Sequence, residues 1–145
     1  MAPIKPPIKR RRSRELGPHL AIFRYLSYVL PPDWLVHHSP NQGHGRSKKQ
    51  GGILKAMGVK AGFPDLICLG DDGMLPTGFF VEVKSATGSR SEAQRKFGKW
   101  AEAHGWPVIV ARNIDEVRAG LVKHAINHRD LGIVMPRAGV TGDDE

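Results

Sequence analysis

Gly62-Phe63-Pro64-Asp65-Leu66-Ile67-Cys68-Leu69, a turn-rich Gly70-Asp71-Asp72-Gly73, and then Phe79-Phe80-Val81-Glu82-Val83-Lys84 form the stretch that decides the fold. Side chains alternate along a strand, so Glu82 and Lys84 share one face while Val81 and Val83 point to the other. Pro64 holds Phe63 extended and sets Asp65 at the start of an apolar strand. If the two segments pair across the turn, Asp65 lies beside Glu82. Glu82 interrupts a run otherwise fit for burial, and a buried charge without a partner costs on the order of several kcal/mol. A divalent cation, or Lys84, would offset that cost. Hard oxygen ligands suit Mg²⁺ or Mn²⁺, which can activate water against a phosphodiester. As a bare pattern, Pro-Asp, a spacer of 16 residues and Glu-x-Lys is loose. Asp65 alone also reads as a strand-end residue, and Lys84 as the ion-pair mate of Glu82.

Working outward, the chain alternates helix-period and strand-period segments. A first helix is expected over about residues 15–30, ended by Pro31-Pro32. Leu16, Leu20 and Phe23 form one stripe on it, with Ile22, Leu26, Val29 and Leu30 beside. Glu15 and His19 fall at i, i+4 spacing on the same inward side. Trp34 to His38 suggests a short strand, and the Gly-rich, basic, acid-free residues 39–50 a mobile loop. A short helix is expected over residues 51–57. Ser91 opens a strong helix with Ala93, Phe97, Trp100, Ala101 and His104 at helical spacing, and Gly105 stops it. Residues 107–111 are a continuous apolar run, the pattern of a strand covered on both faces. A last helix over about residues 114–126 should bury Ile114, Val117, Leu121 and Ala125. The result is an α/β domain, a small mixed β-sheet flanked by helices.

The 145 residues suffice for one domain with tails: a basic N-terminal arm to residue 14, a body over residues 15–128, and a tail over 129–145 expected to be disordered. No apolar run approaches the roughly 18 residues of a membrane span. The N-terminus has no hydrophobic centre and is not a secretory signal. One cysteine, Cys68, lies within an apolar strand pattern, which suggests a buried thiol and excludes a disulfide or zinc framework within one chain. His37, His38 and His44 match no common zinc spacing and read as loop or phosphate-contact residues.

Net charge is +8, and its distribution matters more than its size. Lys5, Lys9, Arg10, Arg11, Arg12 and Arg14 precede the first acid, Glu15. Pro3, Pro6 and Pro7 keep such an arm extended, where it can neutralise phosphates without reading sequence. A solubilising tail is the plainer reading. Arg46, Lys48, Lys49, Lys55 and Lys60 could line an approach to a nucleic-acid backbone, or belong to an ordinary solvated loop.

Asn41, the run Lys55-Ala56-Met57-Gly58-Val59-Lys60-Ala61-Gly62-Phe63-Pro64-Asp65-Leu66, Glu82-Val83-Lys84, Ser91-Glu92-Ala93-Gln94 and Gly105-Trp106-Pro107-Val108 closely resemble the VRR-NUC family of the PD-(D/E)xK nuclease superfamily. The resemblance runs in order from about Glu15 to Ile126 and is that of a stand-alone, phage-type member. It implies a restriction-endonuclease-like core in which Asp65, Glu82 and the Val83 carbonyl hold Mg²⁺ or Mn²⁺. Glu15 matches a first-helix acid that binds metal directly or through water. Lys84 becomes the water-positioning lysine, and Gln94 a contact to that water or to Lys84. Gln94 also completes an S-x-x-Q capping box with Ser91, and both roles can hold at once. His19 stands where the family often has glutamine, so it can hydrogen-bond there, bind metal, or be a satisfied core histidine. The part played by Asn41 stays equally open.

The resemblance therefore implies a metal-dependent DNA endonuclease, with branched DNA such as four-way junctions as the expected substrate. A homodimer in the cytoplasm of a bacterial or phage-infected cell is also expected. A nonspecific nickase, a packaging-linked endonuclease and a nucleic-acid-binding module without chemistry are the alternatives. An RNA-directed enzyme fits less well, because no aromatic stacking platform is evident.

Overall fold

The computed structural model describes residues 16–39 and 48–129. The arm with Arg10, Arg11 and Arg12, together with Glu15, Asn41, Arg46 and the acidic tail, lies outside the described residues, as does the Leu16 side chain. The elements run α1 (Leu16–Val29), β1 (Leu35–His38), α2 (Lys48–Ala56), β2 (Leu66–Asp71), β3 (Pro76–Val83), α3 (Glu92–Ala103), β4 (Val108–Ala111) and α4 (Ile114–Lys123). This is the α/β order expected from the periodicities. The four strands form one mixed sheet in the order β1-β2-β3-β4. β1 and β2 are antiparallel, as are β2 and β3, whereas β3 and β4 are parallel. The parallel step requires a crossover, and α3 supplies it.

Alternation along the strands sorts side chains onto two unlike faces. Leu66, Cys68, Phe79, Val81, Val83, Ile109 and Ala111 join Ile22, Leu26, Val29, Leu30, Val117 and Leu121 in one buried core beneath α1 and α4. On α1 the buried line is Ile22, Leu26 and Val29, at i, i+4, i+7, while Leu20 of the expected stripe is 43% exposed. Cys68 sits in this core as a free thiol. Burial pushes its pKa up to about 12, which leaves it inert.

The opposite face carries an aromatic cluster under α3. Phe63, Phe80 and Phe97 meet edge to face, with centroids 5.2–5.7 Å apart. Trp106 approaches Phe80 and Trp100 approaches Phe97. Such pairs favour fixed angles as well as burial, so they set the position of α3 over β3.

Three boundaries differ from expectation. α2 begins at Lys48, three residues before the expected start, so Lys48 and Lys49 are helical where the Gly-rich composition suggested loop. No residue of α2 is buried, so apolar periodicity gave no guide to its first turn. At the other end of the fold, α4 stops at Lys123 rather than near residue 126. Ala125 is exposed and not buried, with φ 53°. It occupies the left-handed position of a Schellman stop, in which the Ala125 N–H reaches the Val122 carbonyl (3.1 Å) and the Ile126 N–H the Leu121 carbonyl (2.9 Å). α3 ends the same way on Gly105, with φ 79°. Beyond α4, the Arg129 N–H donates to the Val29 carbonyl at 2.7 Å, so ordered chain reaches one residue into the expected tail.

A side chain in the left-handed region costs roughly 1–2 kcal/mol relative to glycine. Ala125→Gly should therefore stabilise the fold by about 1 kcal/mol and raise the melting temperature by about 4 °C for a domain of this size. Thermal melts followed by circular dichroism check this, and an unchanged or lower midpoint would contradict it.

Candidate active site

The β2–β3 register pairs Leu66 with Val81, which sets Asp65 one step beyond, opposite Glu82. Asp65 sits between two backbone anchors. Its Oδ2 accepts the Val83 N–H at 2.8 Å, tying the carboxylate across to β3. Its carbonyl accepts the Ser39 N–H at 2.8 Å and lies 3.1 Å from His38 Nδ1. A carbonyl can only accept, so Nδ1 carries the proton in that contact. The loop before Asp65 is pressed onto α3. Gly62 has φ 77°, and an added Cβ would overlap the backbone of Ala93 and Gln94. Only glycine satisfies both the conformation and the approach.

Glu82 and Lys84 share the α3 face of β3, as alternation requires. Glu82 is 0% exposed and Lys84 8%. Lys84 does not pair with Glu82, contrary to one reading of the pattern. Its Nζ donates to Gln94 Oε1 at 2.7 Å. The ion pair to Glu82 comes instead from Arg90, whose Nε is 3.0 Å from Oε2. Among the described residues, Glu82 Oε1 is buried without any hydrogen-bond partner. Burial raises the Glu82 pKa; the charge and hydrogen bond of Arg90 and the charge of Lys84 partly counter this, while Asp65 pushes it higher. One oxygen is thus neutralised by protein and the other is not, a state that costs free energy unless something cationic meets it.

Gln94 does two jobs. Ser91 is the N-cap of α3, and its side chain accepts the Gln94 N–H at 3.2 Å. In return Gln94 Oε1 accepts the Ser91 N–H at 2.9 Å, closing the capping box. The same oxygen takes the Lys84 ammonium, so the first turn of α3 aims the lysine.

His19 on α1 stands edge-on to His38, with ring centroids 4.4 Å apart. Burial lowers its pKa, the charge on His38 lowers it further, and Asp65 acts the other way. His19 therefore belongs to the Asp65 side of the site. His37 and His38 lie on β1, the short strand expected there. Lys48, Lys49, Lys55 and Lys60 are exposed, on α2 and just after it. Arg90 carries no mark in the sequence. It follows Gly88-Ser89 in what reads as a connector, and nothing in its spacing singles it out.

The oxygens of this site fit a hard divalent cation. Two carboxylates and a strand carbonyl at Val83 are oxygen donors of the kind Mg²⁺ and Mn²⁺ take, and among the described residues Glu82 Oε1 is a buried acceptor with no hydrogen-bond partner. Among the described residues no group of three or more His, Cys, Asp or Glu side chains is placed to hold a metal. Glu15, the third acid expected, lies outside them.

Two carboxylates and an aimed lysine on a mixed sheet, with a crossover helix behind, are what the Pro-Asp and Glu-x-Lys motifs imply. The profile of the VRR-NUC domain matches residues 38–113, more than half of the chain. The chain belongs to the VRR-NUC family, a family of nucleases. A solved structure described as a VRR_NUC domain protein superposes with a TM-score of 0.58 at 22% identity. The alignment covers 79% of this chain and 89% of that one, and at that identity it speaks to the fold. No curated protein matches.

The cap and the lysine contact can be separated. Ser91→Ala removes only a cap and should cost about 1 kcal/mol of stability, with nuclease activity changed less than twofold at a temperature where the variant is folded. Gln94→Ala also releases Lys84, and should lower activity by roughly tenfold to a hundredfold. Equal activity losses in the two variants would show that Gln94 acts through the cap alone.

Proposed function

We propose that this protein is a metal-dependent DNA endonuclease that hydrolyses phosphodiester bonds at the Asp65–Glu82–Lys84 centre. The observation that carries the reading is Glu82 Oε1, buried and without a hydrogen-bond partner among the described residues, on the strand that leads into Lys84. Structural ion pairs consume both carboxylate oxygens where they can, whereas a ligand carboxylate keeps one for its cation.

Asp65, Glu82 and the Val83 carbonyl would hold Mg²⁺ or Mn²⁺, with Glu15 as a further ligand. Bound there, the ion would neutralise charge on the scissile phosphate and make a water more acidic. The work of the chain is positional. Asp65 is fixed by the Val83 N–H, so it keeps its place without reorganising. Lys84 spends one N–H on Gln94 and has two left to orient water and offset charge on the phosphate. Cleavage should leave 5′-phosphate and 3′-hydroxyl ends.

The exposed, acid-free α2 and the N-terminal arm would contact the DNA backbone without reading bases. With so little surface for base contacts, shape is the favoured cue, and a branched duplex such as a four-way junction the favoured substrate. A homodimer would present two such centres. A packaging-linked or nonspecific nickase shares the chemistry without the symmetry. Arg90 supports the one competing class, because a guanidinium on Glu82 is also what a non-catalytic DNA-binding module with a structural ion pair would contain.

Nicked, flapped and four-way DNA incubated with Mg²⁺, Mn²⁺ or EDTA should be cleaved only with the cation. Glu82→Ala, Asp65→Asn and Lys84→Met should each reduce cleavage by at least about a hundredfold while retaining binding. Binding without metal-dependent cleavage of any substrate would favour the module. Paired symmetric nicks and a dimer in sedimentation would mark a junction-resolving enzyme.

The phosphate-facing lysines have their own readout. Replacing Lys48, Lys49 and Lys55 together by Ala should flatten the slope of log binding constant against log salt by up to about 3 units, roughly one for each phosphate no longer neutralised. An unchanged slope would remove α2 from the interface.

A further inference from the structure

Arg90 is held by more than its ion pair. Nε donates to Glu82 Oε2 at 3.0 Å, and Nη2 donates to the Gln94 carbonyl on α3 at 3.0 Å. One planar group therefore joins the β3 carboxylate to the turn of helix whose side chain aims Lys84. The backbone that delivers it is pinned from both sides. Arg112, just after β4, donates from Nη2 to the Gly88 carbonyl at 2.9 Å, and Arg95 donates from Nη1 to the Arg90 carbonyl at 2.7 Å. The guanidinium has a dedicated seat as well. Gly98 is buried on α3, and a Cβ there would overlap Arg90 Nη2. Glycine inside a helix costs about 1 kcal/mol against alanine, and the space it leaves is filled by Arg90.

We propose that Arg90 is a positioning residue of the nuclease centre. By holding Glu82 Oε2 it presents Oε1 alone to the cation, and by holding the Gln94 carbonyl it keeps the carboxylate and Lys84 in register. The assignment rests on the reading of the site given under Proposed function. The guanidinium gives Nε to the carboxylate and Nη2 to the Gln94 carbonyl, so one rigid plane holds two acceptors at a fixed spacing, which the single nitrogen of a lysine cannot do. Arg90 touches no reacting atom; it acts through Glu82 and Gln94.

The test measures Mn²⁺ binding to the full-length protein by calorimetry, together with Mn²⁺-induced thermal stabilisation, so that it does not depend on cleavage. Wild type is compared with Arg90→Met, Arg90→Lys, Gly98→Ala and Glu82→Gln. Loss of the fork should weaken Mn²⁺ binding about tenfold or more in Arg90→Met. Arg90→Lys, which keeps the charge, should recover only part of that loss. Gly98→Ala displaces the guanidinium without altering it, so it should weaken binding in the same direction, and it keeps the question open to measurement if Arg90→Met does not fold. Wild-type affinity in both Arg90 variants would overturn the proposal. Tighter binding in Arg90→Met would also overturn it, by showing that the guanidinium competes with the cation. Glu82→Gln separates the two readings: wild-type Mn²⁺ binding in that variant would sink the metal centre itself. Lost binding there with wild-type binding in the Arg90 variants would sink Arg90 alone.

Discussion

The structure is organised around one carboxylate in an otherwise apolar strand. Glu82 is completely buried, and the fold around it can be read as the means of keeping an ionised group there. Arg90 meets one oxygen, Asp65 is tied to the next residue of the same strand, and Lys84 stands two residues on. The aromatic cluster beneath α3 holds the helix at the height where its first turn reaches the lysine. None of these parts would be needed if Glu82 were a valine like its neighbours. Burying a charge is weak evidence of stabilisation, since apolar replacements of buried ion pairs are often neutral or better. Its persistence here argues for chemistry.

Much of this was legible in the amino-acid order. Short apolar runs place β2, β3 and β4, and period 3.6 places α1, α3 and α4, because each packs a face on a core. Pro64-Asp65 and Glu82-x-Lys84 lie on adjacent strands, so their spacing carries direct information about their proximity. Ser91 and Gln94 are three apart, within reach of a local rule. The less legible features depend on the third dimension. Arg90 is eight residues from Glu82 across an irregular loop, and no periodicity links them. Gly98 looks like a mere weakness in a helix until the guanidinium beside it is seen. α2 buries nothing, so apolar spacing left its first turn at Lys48 unmarked. Ala125 fits a helical stripe by spacing and is instead the residue on which the helix reverses.

The two faces of the sheet divide the labour. The α1/α4 side is mainly aliphatic, with Phe79 against Trp34 as its aromatic pair, and supplies the burial that stabilises the domain. The α3 side is where polar groups are admitted, and there aromatic edges rather than aliphatic bulk surround them. A small domain has little stability to spare, so concentrating the buried charged groups on one face leaves the other free to carry the fold. His19 and His38 join the two halves, bringing α1 and β1 to the Asp65 end.

The lone sulfhydryl has a practical corollary. Cys68 is fully enclosed between the strands and α1, and its ionisation is pushed far above neutrality. Thiol-directed reagents and oxidants therefore have no purchase on Cys68 in the native chain, and self-association of folded molecules does not arise from an air-formed disulfide. The same enclosure turns that sulfur into an internal clock: its labelling proceeds only as fast as the sheet opens, and so reports the rarest fluctuation of the domain.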